Sequence, residues 1–274
     1  MNPGGSVKDR AALGILNDAI KNKKLKKNGI IVEGTAGNTG ISLTQLGNSI
    51  GCKTIIVMPE TQSNEKKQLL EILGAELILV PAVPYKNPNN YVKYSKKLSE
   101  DLSKKEKNKT VLWANQFDNS SNLNAHFNST GPEIWEQTCG KVDGFICAIG
   151  SGGTIAGVAK YLKKKNPKIQ IGLSDPYGSA LYNYFKINEM KSEGNSITEG
   201  IGQGRITKNL ENFKPDHSFR IADEPAITEL QNLLKYEGLY LGGSSAINLL
   251  GAVELAKQMG KGHTICTILC DSGQ

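Results

Sequence analysis

Lys8 is the first residue whose type and setting suggest chemistry. It is delivered by Met1-Asn2-Pro3-Gly4-Gly5-Ser6-Val7, a glycine turn followed by a helical pattern. Pro3-Gly4-Gly5 punctuates the chain and Ser6 is a favourable helix N-cap, so Lys8 falls in a first helical turn. The positive end of a helix disfavours a cation there, and this favours the free amine, the form that attacks a carbonyl carbon.

Further stretches add complementary groups. Glu33-Gly34-Thr35-Ala36-Gly37-Asn38-Thr39-Gly40 follows a strand-like run and opens a helix, so hydroxyls and free N–H groups converge on one point suited to a carboxylate. The same stretch also reads as an ordinary strand-to-helix turn. Ile149-Gly150-Ser151-Gly152-Gly153-Thr154 repeats the arrangement, with glycines that let main-chain amides approach a phosphate. Gly150-x-Gly152 matches the first half of a dinucleotide fingerprint, but Ile155 stands where its third glycine belongs and no Walker lysine follows, so a compact phosphate monoester is the better guest. The tail, Leu269-Cys270-Asp271-Ser272-Gly273-Gln274, ends a strand pattern in polar groups, where open α/β sheets bind ligands, although such a stretch is also a common turn. An amine, a phosphate cup, a carboxylate turn and a hydroxyl at a strand end are together the parts that pyridoxal phosphate needs.

The elements that must position these groups alternate. Apolar runs at 29–32, 52–58, 76–80 and 110–113 predict strands of a first unit. Ala12, Ile15, Leu16, Ala19 and Ile20 make a helical stripe, and a helix capped by Ser63 carries Leu69, Leu70 and Leu73 before Gly74 stops it. From about Gly140 the rhythm restarts, with strands at 144–149, 169–173, 218–221 and 264–269 and helices at 154–164, 224–235 and 244–257. Strand and helix in repetition predict an α/β fold of two lobes, 1–115 and 116–274, each with a mainly parallel twisted sheet flanked by helices and a cleft between them. Residues 176–216 are rich in Gly, Asn and Lys and lack sustained periodicity, so much of the stretch reads as mobile loop near the cleft mouth.

Composition narrows the function. The chain has 274 residues, 38% hydrophobic and 22% charged, and no apolar run spans a bilayer. Its formal charge of +7 is concentrated in lysine runs at 21–27, 104–109 and 163–165, which read as solvated helix ends and argue against a nucleic-acid partner. Cys52, Cys139, Cys147, Cys266 and Cys270 form no CxxC pair, and His126, His217 and His263 stand apart, so neither a disulfide framework nor a metal site is expected. A reducing, cytoplasmic setting follows. A mitochondrial one follows instead if a targeting segment precedes Met1.

With these motifs in this order, the chain resembles the cysteine synthase (O-acetylserine sulfhydrylase) and cystathionine β-synthase family of fold-type II, tryptophan synthase β-like pyridoxal-phosphate enzymes. The resemblance runs along nearly the whole chain. It implies that Lys8, in Ser6-Val7-Lys8-Asp9-Arg10, is the Schiff-base lysine. Asn38 faces the cofactor's ring hydroxyl, Gly150, Ser151, Gly152, Gly153 and Thr154 hold its phosphate, and Ser272 meets its ring nitrogen. Thr35, Ala36, Gly37, Thr39 and Gln116 bind the substrate carboxylate, and the Gly200-Ile201-Gly202 stretch lines the cleft. The family's usual serine is replaced by Ala36, which removes one hydroxyl donor.

Gly37-Asn38-Thr39 and the stretch from His126 to Trp135 favour cysteine synthesis by β-replacement from O-acetylserine and sulfide through an aminoacrylate. Asp175-Pro176-Tyr177-Gly178-Ser179 leans toward the cystathionine β-synthase reaction of serine with homocysteine. The resemblance further implies a homodimer. Family members carry segments before the lysine motif and after the serine, so the chain reads as truncated at both ends, and a catalytically inactive fragment is the remaining alternative.

Overall fold

The computed structural model describes residues 2–273, which divide into two compact units, Met1–Asn122 and Leu123–Gln274. The first contains α1 (Lys8–Lys21), β1 (Ile30–Gly34), α2 (Asn38–Ser49), β2 (Lys53–Pro59), α3 (Asn64–Ile72), β3 (Glu76–Val80), α4 (Tyr91–Lys105) and β4 (Val111–Trp113). Its strands pair in parallel in the order β3-β2-β1-β4. β1 is buried throughout and β2 from its second residue on, as central strands covered on both faces must be. Ala12, Ile15, Leu16 and Ala19 of α1 pack with Ile31, Leu43 and Leu112. On another patch of core, Leu98 and Leu102 of α4 cover Val32 and Ile55.

The chain continues through α5 (Ser120–Asn128), in which the second unit begins, and that unit contains α6 (Thr130–Gln137), β5 (Gly144–Cys147), α7 (Gly153–Lys165), β6 (Gln170–Pro176), α8 (Leu181–Ile187), β7 (His217–Ile221), α9 (Asp223–Glu237), α10 (Gly243–Met259) and β8 (Ile265–Cys266). Its sheet, again parallel, runs β7-β6-β5-β8. Phe145, Ile155, Val158, Leu162, Ile171 and Leu173 form the centre of its core.

Two local expectations change. Regular pairing near the chain's end covers Ile265–Cys266 only, not 264–269, because side chains take the following backbone groups. Asn248 Nδ2 donates to the Ile268 carbonyl at 2.7 Å, Ser245 Oγ accepts the Cys270 N–H at 2.9 Å, and Thr267 Oγ1 donates to the Ile146 carbonyl at 2.7 Å. Residues 176–216, much of which is expected to be irregular, are so for the most part but contain α8 and a 3-10 turn over Lys208–Leu210. α8 is fixed by buried Leu181 and by Phe185, whose ring stands edge-on to Phe213 at 5.8 Å.

Candidate active site

In the first unit, α1 begins at Lys8 with Val7 as its N-cap, one residue later than the expected Ser6, whose Oγ instead accepts the Lys8 N–H at 3.2 Å. The glycine turn is clamped by Asp9, which accepts the Gly4 N–H at 2.6 Å and the Ser42 hydroxyl. Lys8 is half-buried, and its ammonium has no hydrogen-bond or ion-pair partner among the described residues.

The turn between β1 and α2 contains Thr35, Ala36 and Gly37. Buried Thr35 accepts the Gly37 N–H on its Oγ1 at 3.2 Å. No side chain caps the head of α2, and no acid occupies its first turn, so the turn presents main-chain donors suited to an anion. Asn38 is half-buried there, and Thr39 Oγ1 donates to Gln116 Oε1 at 2.7 Å. Gln116 is itself fixed: Asn122 Nδ2 donates to its carbonyl at 2.9 Å, and its N–H reaches Glu33 Oε1 at 3.4 Å.

Burial pushes the Glu33 carboxyl up to about 8, against the opposing hydrogen bonds from Gln116 and the main chain of Asn115. The folded chain therefore holds a proton there that the unfolded chain gives up near 4.5. The stability this confers is complete below the unfolded value and is lost as pH rises through about 8. Over that window the slope from this group reaches about 1.4 kcal/mol per pH unit. Glu33→Gln, which cannot titrate, is expected to unfold with a shallower pH dependence than the parent, and urea denaturation across this range checks it. Parallel curves would remove Glu33 as the source.

In the second unit, α7 opens at Gly153 behind Gly152, whose φ of +88° is left-handed. A Cβ at Gly152 would lie 2.6 Å from Leu210 Cγ, so glycine is required both by the turn and by the close approach of Leu210. No side chain caps α7 and its first turn has no acid, which leaves the positive helix end open to a phosphate. Ser151, Gly152 and Gly153 are buried, while Gly150 and Thr154 are partly exposed.

Supporting groups that sequence reasoning passed over surround this cradle. The Ser151 carbonyl accepts Thr207 Oγ1 at 2.8 Å and Asn209 Nδ2 at 3.2 Å. Buried His126 lies 3.2 Å from Thr154 Oγ1 through Nε2 and 2.9 Å from Thr130 Oγ1 through Nδ1. The available signals were weak: His126 and Thr130 are four apart, and Glu33 is an acid inside an apolar strand run. Ile155, in place of a fingerprint glycine, is 1% exposed in the core.

Ser272 is half-buried and bridges to Leu241, and the tail is held by hydrogen bonds from Gly273 N–H to the Tyr240 carbonyl at 3.2 Å and from Ser244 Oγ to Asp271 Oδ1 at 3.1 Å. Gly200 is exposed at a φ of +76°, with open space where a side chain would stand. Among the described residues no cluster of side chains could hold a metal ion, and no helix is long and apolar enough to cross a membrane. The acid-free, uncapped glycine cradle of the second unit is of a kind that fits a phosphate monoester such as that of pyridoxal phosphate; an unengaged amine, as Lys8 has in the first unit, and a hydroxyl, as Ser272 has, are group types that its aldehyde and ring nitrogen would call for.

Comparisons with known proteins agree with that chemistry. Residues 1–271 match the family described as pyridoxal-phosphate dependent enzyme. Cysteine synthase 1 of Neurospora crassa is 50% identical, over 99% of this chain and 72% of its own length. A cysteine synthase of Dictyostelium discoideum is 47% identical, over 100% of this chain and 73% of its own. Among solved structures, an O-acetylserine-dependent cystathionine β-synthase from Helicobacter pylori superposes with a TM-score of 0.90 at 34% identity, covering 100% of this chain and 85% of that one. The chain therefore belongs to the pyridoxal-phosphate-dependent enzymes and, within them, to the cysteine synthases.

Proposed function

We propose that this chain makes cysteine by β-replacement, exchanging the acetate of O-acetylserine for sulfide. The observation that carries the reading is the pair of uncapped, acid-free helix heads, α2 beside the Thr39–Gln116 hydrogen bond and α7 behind Gly152, one suited to a substrate carboxylate and the other to a phosphate monoester. Pyridoxal phosphate, when bound, supplies an electron sink for the substrate's α-carbon.

In this reading Lys8 Nζ would be the cofactor's attachment point, and its free amine the base that takes the substrate's α-proton. Asn38 would face the ring hydroxyl. Gly150, Ser151, Gly152, Gly153 and Thr154 hold the phosphate. Ser272, an uncharged hydroxyl, would meet the ring nitrogen without protonating it, which would favour elimination over racemisation. Thr35, Ala36, Gly37, Thr39 and Gln116 receive the substrate carboxylate, and Gly200 lines the approach. Ala36 lacks the hydroxyl of the family's usual serine, a loss of about 1 kcal/mol in substrate binding.

The reading includes a homodimer, on the strength of the family resemblance, and a cytoplasmic setting, supported by cysteines that form no disulfide among the described residues. A second acceptor, homocysteine, is favoured by the likeness to the Helicobacter pylori enzyme. The test is to add pyridoxal phosphate to the purified chain and record visible absorption before and after O-acetylserine, then to supply sulfide or homocysteine. A cofactor band that shifts with O-acetylserine and returns with sulfide is expected. Return with homocysteine alone would assign the second reaction, and no band at all would overturn both.

A further inference from the structure

Glu33 is an acid that the proposed chemistry leaves idle, and its position is costly. It stands in β1 between β2 and β4 and is 1% exposed. The N–H groups of Asn115 and Gln116 and the side-chain amide of Gln116 hydrogen-bond its carboxyl, while Oε2 has no partner among the described residues. An unsatisfied buried polar atom costs about 1–3 kcal/mol, which an aliphatic side chain in this strand would avoid.

A primary amide has two ends of nearly equal size, one donating and one accepting. Thr39, a hydroxyl, can donate or accept, so it would satisfy either orientation of the Gln116 amide. Glu33 Oε1 already accepts the Gln116 main-chain N–H, so in the protonated carboxyl it is the carbonyl oxygen, and as an acceptor only it selects the orientation that turns the amide nitrogen toward it. We propose that Glu33 is a positioning residue which, by holding the main chain and side-chain amide of Gln116, turns its oxygen toward Thr39 and so sets the carboxylate-binding geometry at the head of α2. The inference rests on the reading of Thr39 and Gln116 as carboxylate ligands.

The raised value near 8 keeps Glu33 uncharged at neutral pH, so an anionic substrate meets no buried charge behind the turn. The elements packed on β1 supply no counter-charge to change this. α1, whose Ala12 and Ile15 pack with Ile31, contains Lys8, Asp9, Arg10, Asp18 and Lys21, none of which contributes to the Glu33 shift; α2 and β4 contain no ionisable residue, and β2 has only Lys53, exposed and paired with Glu76. In α4, Lys93 and Tyr91 are half-buried, while Tyr94, Lys96, Lys97, Glu100, Asp101, Lys104 and Lys105 are exposed, and none contributes to the Glu33 shift.

The experiment compares the holoenzyme with Glu33→Ala, Glu33→Asp and Glu33→Gln. Cofactor absorption, which tests the functional reading separately, should be the same in all. KM for the amino-acid donor should rise roughly tenfold in the Ala and Asp variants, with kcat changed less, because a hydrogen bond to a charged group is weakened. Glu33→Gln, which keeps a carbonyl acceptor, should recover most of the loss and abolish the rise in KM that the parent shows above about pH 8. Unchanged KM in the Ala and Asp variants, or a Gln variant as impaired as Ala, overturns the proposal.

A readout independent of cofactor and turnover is the side-chain amide resonance of Gln116 in the chain without cofactor. It should move with pH around about 8 in the parent and stay fixed in Glu33→Gln. A resonance indifferent to both pH and substitution also overturns it.

Discussion

Lys8→Ala is expected to lose roughly 1,000-fold or more in turnover with O-acetylserine and sulfide, since it would remove both the proposed attachment point and the proposed general base. The fold should tolerate the change. Lys8 occupies the first turn of α1, and its ammonium engages no described neighbour, so truncation breaks no buried bond. The clamp that shapes the turn belongs to Asp9, Gly4 and Ser42, all of which remain. Turnover measured beside a thermal melt separates the outcomes. An unchanged melting temperature with lost activity assigns the role, and normal activity removes Lys8 from the chemistry.

Gly152→Ala should bind pyridoxal phosphate roughly 100-fold more weakly, a loss of about 2–3 kcal/mol. Two strains coincide there. The left-handed φ of +88° penalises any Cβ, and that Cβ would press on Leu210 Cγ at 2.6 Å. Leu210 is 2% exposed and packed in the core, so it has little room to withdraw. The loop must yield instead, and the loop presents the main-chain donors at the head of α7. Titrating the variant with the cofactor and following visible absorption gives the affinity directly, and parental affinity would show that the phosphate binds elsewhere.

The sheet strands were legible wherever burial on both faces forced apolar runs, as in Ile30–Gly34 and Lys53–Pro59. α3 ended where Gly74 takes a φ of +85°. The glycine-rich turns were legible too, because their backbone demands few side chains can meet. What escaped depends on distant partners. The strand pattern at 264–269 is apolar and β-branched, yet Asn248 and Ser245 of α10 take its backbone groups before a ladder can extend. α4 escaped because its apolar positions are sparse among lysines, serines and acids. α8 escaped because seven residues give too little periodicity, its stability coming from Leu181 and Phe185 in the core. His126 read as an isolated histidine because its partner Thr154 is 28 residues away in sequence. Glu33 shows its burial in the sequence, but Gln116, 83 residues on, supplies its meaning.

The uncapped heads of α2 and α7 have a consequence for how much of this protein a cell keeps. Glycine in place of a capping side chain costs a helix a few tenths of a kcal/mol, and here two helices begin that way. The chain without cofactor is thus the weaker form, and a ligand that fills such a head at 100 times its dissociation constant adds about 2.7 kcal/mol to stability. Differences of that size decide how often a chain is found unfolded by proteases and chaperones. Abundance should therefore track the supply of pyridoxal phosphate, with newly made chains degraded when the vitamin is scarce and spared when it is plentiful.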